Sequence, residues 1–226
     1  MRSLFSNLLS AVSKSLSNHR KQPRKSRQRR LFAEVLETRK VFAVGIPEIY
    51  ISEIQDDPLF GNRDTDQYVE LRGAANSTLP AGTYFVVLEG WGAVPGGPGY
   101  LHSVIDLSNL SFGANGFLTI TQLGSPYQVD PQSTRLVSNS TGFAGLPDGR
   151  WSDASDLSDR FSFISGTQSF LIVSATSKPT PGNDYDLNDD GNLDNGADSW
   201  NTYDSVAMMG YTPSPGWSYG RITFSH

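Results

Sequence analysis

The chain has 226 residues, a net charge of −5 and no cysteine, which excludes disulfides, thiolate zinc sites and a cysteine nucleophile. Its hydrophobic content of 37%, with four Trp, nine Tyr and twelve Phe, is enough for one sizeable core, and it contains no run of about eighteen apolar residues of the kind that spans a membrane as a helix. The charge is divided: residues 1–40 carry eleven Lys/Arg against two Glu (+9), and the rest carries seven basic against twenty-one acidic residues (−14). An acidic body repels phosphates and suits hard cations, so no nucleic acid is expected on it; only the basic arm could bind one.

In chain order, residues 1–30 are polar and basic, with a cluster at His19–Arg30, and are expected to be disordered. Leu31–Ala43 is moderately apolar and ends in Val41-Phe42-Ala43, where small residues suit a signal-type cleavage. The stretch Leu36-Glu37-Thr38-Arg39-Lys40-Val41-Phe42-Ala43, following a basic run, resembles the Leu-Glu-x-Arg-x-Leu-Leu-Ala segment of many exported planctomycete proteins. That resemblance implies an exported protein, extracellular or at the cell surface or periplasm, with residues 1–43 as an export segment and 44–226 as the mature domain. The competing reading of residues 1–43 is a basic amphipathic helix on a nucleic-acid or membrane surface.

From Ile46 the pattern changes to short β-type runs between Gly, Pro, Asn and Asp. Strands are predicted at Ile49–Ile54, Gln67–Arg72, Thr83–Glu89, Gly116–Thr121, Arg160–Ile164, Ser169–Val173, Asp204–Met209 and Gly220–Phe224. Eight short strands without helical periodicity predict an all-β fold, an antiparallel β-sandwich with scarce helix. Residues 90–99, 123–159 and 174–204 are read as long connections, where function on such a scaffold usually resides.

Residues 184–198 place oxygen-bearing side chains at alternate positions around one glycine. Asp186, Asn188 and Asp190 stand at i, i+2 and i+4, Gly191 supplies a sharp turn, Asn192 can offer its carbonyl, and Asp194 follows at i+8. This is the spacing of a calcium loop. Its closing position is Ala197 rather than a carboxylate, so Asp198, Asp184 or Asp204 must complete the shell, and Ca2+ binding is expected to be weak, on the order of 10⁻⁴–10⁻³ M. Pro179 and Pro181 before the loop discourage an entering helix, which makes the predicted ion structural and not a sensor. The bland alternative is an ion-free loop rich in Asx turns.

Ile51-Ser52-Glu53-Ile54 and Asp66-Gln67-Tyr68-Val69-Glu70-Leu71-Arg72-Gly73 resemble the opening of lamin-tail-like domains, Tyr84–Leu88 their hydrophobic strand, and Asp204-Ser205-Val206-Ala207 their late Asp-x-Val strand. Gly73 stands where that family usually has Asn. The resemblance implies a non-catalytic immunoglobulin-like module, structural or adhesive, with an extracellular protein or glycan as partner. In some bacterial members an Asp/Asn-rich loop precedes the Asp-x-Val strand, as here.

Two other classes stay open at this point. Glu53 with Glu70, or Asp153 with Asp156 and Asp159, could pair for glycoside hydrolysis, and Trp91, Trp151, Trp200 and Trp217 in or near loops could stack on sugars, giving a carbohydrate-binding module or weak hydrolase. His102 is the one histidine placed to serve a catalytic or metal site, and without visible partners it reads as structural.

Overall fold

Runs of β-branched and aromatic residues between turn-forming Gly, Pro, Asn and Asp become eleven strands in a computed structural model that describes residues 48–55, 65–91, 97–139, 142–146, 149–153, 167–210 and 216–225. They are β1 (Tyr50–Gln55), β2 (Tyr68–Arg72), β3 (Thr83–Glu89), β4 (Leu101–Asp106), β5 (Phe117–Thr121), β6 (Thr134–Asn139), β7 (Gly142–Phe143), β8 (Trp151–Asp153), β9 (Gln168–Ser174), β10 (Asn201–Met209) and β11 (Ile222–Ser225). Among the described residues the only helical turn is a 3-10 turn at Ala197–Ser199. The basic arm, its cleavage motif and the strand expected at 160–164 lie outside the described residues.

Two sheets form, in the orders β1-β2-β5-β6-β7 and β11-β10-β9-β3-β4-β8. Their inner faces meet through side chains at alternate positions: Val69, Leu71, Leu118 and Ile120 from the first sheet against Phe85, Val87, Phe170 and Ile172 from the second. Each is fully buried, and that period-two pattern is what joins two sheets into a sandwich. Most neighbours pair antiparallel, as short strands without intervening helices predict, but β5–β6 and β10–β11 pair parallel. A parallel pair needs a crossover of a dozen or so residues, and each of these has twelve, 122–133 and 210–221.

β3 and β9 are buried on both faces, so they read as continuous apolar runs and not as alternating ones. Their outward residues Tyr84, Val86, Leu88, Leu171 and Val173 are covered by the segment joining β9 to β10, through Tyr185, Leu193, Ala197 and Trp200. The acidic connection is therefore a third layer on the sandwich.

Candidate functional site

The acidic segment is fastened to the start of β4 before its ligand series begins. Gly182 N donates to Leu101 O (2.9 Å), Leu101 N to Asn183 O (2.8 Å) and Tyr185 N to Gly99 O (3.0 Å). Gly99 is required there: a Cβ at that position would lie 2.5 Å from the Asp186 Cβ. The segment then closes on itself, with Asp194 N donating to Tyr185 O (2.7 Å) and Leu187 N to an Asp194 carboxylate oxygen (3.1 Å).

Asp186 is the centre of this turn. Its side chain is fully buried, and its Oδ1 accepts from Asp190 N (3.1 Å) while its Oδ2 accepts from Gly191 N (2.9 Å) and from the Tyr219 hydroxyl (2.7 Å). A buried carboxylate is tolerable only with such donors around it. Asp190 N is shared with Asn188 Oδ1 (3.3 Å), and Asp190 in turn accepts from the Asn188 amide (3.1 Å) and from Asn192 N (2.8 Å) and Nδ2 (2.9 Å). The bonds from Asn192 and Asn188 hold the exposed Asp190 carboxyl below its usual range. Burial pushes Asp184 the other way, and the neighbouring carboxylates add to this, although Asp186 N donates to its Oδ1 (2.9 Å).

The C-terminal segment lies against the same turn. Gly191 has φ +82°, and a Cβ there would meet the Trp217 ring at 2.6 Å, so the indole rests directly on the glycine. Trp217 N donates to Gly90 O (2.7 Å), and Tyr219 N to Ser169 Oγ (3.0 Å), which fixes the segment to β9 and to the end of β3.

Of the residues expected to hold a cation, the fold brings Asp186, Asn188, Asp190 and Asp194 into one hydrogen-bonded turn, with Asn192 tied to Asp190. Asp198 lies exposed in the 3-10 turn that follows, and Asp204 instead accepts from Ile51 N (2.8 Å), joining the two sheets. Among the described residues no three carboxylates or imidazoles converge closely enough to hold a metal by themselves. A cation here would draw also on the amide oxygen of Asn188 and the carbonyl of Asn192. The donor chemistry fits a hard ion: all candidate ligands are oxygens, and between Lys178 and Arg221 the chain has seven Asp and no basic residue.

Tyr219 and Trp217 are the parts of this site that motif reading does not find as such. Tyr219 is 33 residues from Asp186, and no local pattern links the two. The other candidates are dispersed. His102 is buried on β4 and Trp151 is buried in the core on β8; Trp200 is partly buried and packs on Tyr185 at 4.8 Å, and Trp217 alone of these tryptophans is exposed, at 42%. Asp156 and Asp159 lie outside the described residues. No family model, curated protein or solved structure matches this chain.

Proposed function

We propose that the protein is an exported, non-enzymatic module of the lamin-tail-like, immunoglobulin-like type, structural or adhesive in role, whose acidic turn takes calcium as a structural ion. The observation that carries this reading is Asp186: a fully buried carboxylate at the first ligand position, bonded to the backbone of the fifth and sixth positions. Asp186, Asn188, Asp190, Asp194 and the Asn192 carbonyl would hold the ion, with Asp198 or Asp184 as the completing carboxylate. The bound charge would offset the mutual repulsion of these groups and fasten the covering layer between β9 and β10.

The test is thermal unfolding of the full chain in calcium and in chelator. At about 10 mM free ion and a dissociation constant of about 0.1–1 mM, mass action gives about 1.4–2.7 kcal/mol. For a domain of this size that is a rise in Tm of about 3–10 °C. Asp186→Ala with Asp190→Ala should remove the rise. Equal melting curves in calcium and chelator would reject the ion, and release of the arm in the native protein, read by N-terminal sequencing, checks the export assignment separately.

A further inference from the structure

The outer face of the first sheet carries a second cluster that the acidic turn does not touch. β1 and β2 set Glu53 directly opposite Glu70, and β5 continues the row with Thr119 opposite Glu70. Like charges directly opposite on an antiparallel pair repel. Beside them Tyr68 donates to Glu53 and meets Tyr127 edge-on, ring centroids 4.9 Å apart. These residues line a cavity of about 220 Å³ together with Asp130, and no Lys, Arg or His lines it. Thr119 is 4% exposed, yet its hydroxyl, on the lining of this cavity, has no hydrogen-bond partner. A buried hydroxyl left unmet costs free energy that a ligand could recover.

We infer that this cup binds an organic cation, an ammonium or guanidinium group, held between Glu53 and Glu70, against the rings of Tyr68 and Tyr127, with the Thr119 oxygen as a further acceptor. Arg135, in register with Thr119 on β6, already spends its Nε–H on Thr121 Oγ1 at the edge of the cup (3.3 Å), and a neutral sugar would satisfy the Thr119 hydroxyl but add no positive charge between the opposed carboxylates. A nitrogen cation supplies several N–H donors, neutralises the pair and gains from the aromatic faces. The volume admits the end of one side chain or one small amine. The cation can come from a lysine or arginine of a partner protein or from a free small amine.

Calorimetric titration of the full chain with N-acetyl-arginine amide and N-acetyl-lysine amide tests this, with N-acetyl-glutamine amide and methyl glucoside as neutral controls. Saturable binding of the cations, weakened by salt, is expected. Glu53→Gln and Glu70→Gln should each weaken it about tenfold or more, because each removes a charge-assisted hydrogen bond. Thr119→Val, which preserves shape, should weaken it about threefold or more without lowering Tm. An arginine-bearing peptide that binds tighter than the free amide points to a partner's side chain, and equal or weaker binding points to a small amine; either outcome supports the cup. Neutral controls binding as tightly, no saturable binding of either cation, or unchanged affinity in a folded Glu53→Gln/Glu70→Gln variant would overturn it.

Discussion

Asp186 and Tyr219 should be energetically coupled, and the coupling can be measured without any metal. Asp186→Ala leaves Gly191 N and the Tyr219 hydroxyl without their acceptor and Asp190 N with only its longer bond to Asn188 Oδ1 (3.3 Å). The hydroxyl bond to a charged partner is worth about 1.5–3 kcal/mol and each amide about 1 kcal/mol, while removing one negative charge from a cluster of aspartates returns about 1 kcal/mol. The net cost is then about 3 kcal/mol, or a fall in Tm of about 6–12 °C for a domain of this size. Tyr219→Phe removes the hydroxyl bond alone. The double variant should therefore cost less than the sum of the single variants by about 1–2 kcal/mol. The assay is urea and thermal unfolding of all four proteins in chelator. Additivity within about 0.3 kcal/mol, or a melting temperature for Asp186→Ala within 2 °C of wild type, would refute the assignment of Asp186 as the centre of the turn.

Tyr185 reports on the covering layer. It is buried over the outer face of β3 and β9 and packs on Trp200, so Tyr185→Ala should cost about 3–5 kcal/mol in denaturant unfolding; a cost below about 1 kcal/mol would make the acidic connection a pendant loop. Alkaline pH supplies another test. Burial, followed by the carboxylates of Glu53, Asp106 and Asp186 respectively, pushes the phenols of Tyr68, Tyr84 and Tyr219 up. A raised folded-state pKa contributes stability that is complete below the unfolded value of about 10 and is lost as pH rises through the folded value. The midpoint of urea unfolding should thus fall above about pH 10, less steeply in Tyr219→Phe, and phenolate absorbance should lag that of free tyrosine. Lys178 runs the other way: burial lowers its pKa, so its charge costs stability at neutral pH and the cost fades as pH rises. Absorbance, which sees only the tyrosines, separates the two effects.

The strands legible in the sequence are those whose apolar residues either alternate or run unbroken. Thr83–Glu89 forms β3 over its full expected span, and β2, β5 and β9 begin and end within one residue of expectation. β4 was hidden because His102 and Ser103 interrupt its apolar residues, although both are buried in the fold. β6, β7 and β8 lie inside the stretch 123–159 that reads as a long connection: β6 has only Leu136 and Val137 as apolar residues among six, and the other two are too short for a period to show. Their pairings depend on contacts distant in sequence, such as Ile105 against Trp151. In the acidic turn, alternation around Gly191 made the side-chain set visible. The burial of Asp186 under Tyr219 was not, because a ligand spacing describes one segment and burial depends on what else packs on it.

The same segment has two opposed tasks. Its Tyr185, Leu193, Ala197 and Trp200 must approach the sandwich to cover β3 and β9, and in doing so they draw together Asp184, Asp186, Asp189, Asp190 and Asp194 within eleven residues that carry no basic group. Apolar burial favours closure while charge repulsion opposes it. Internal donors meet part of that opposition: backbone N–H groups of residues 190 and 191, the Asn188 and Asn192 amides, and the Tyr219 hydroxyl. None of these carries a full positive charge, so the remaining repulsion is what a cation from solution would relieve. A calcium ion and the C-terminal segment would then act on one equilibrium, closure of the covering layer. An Asp186 variant should accordingly perturb the seating of Trp217 and Tyr219 as strongly as it perturbs the loop itself.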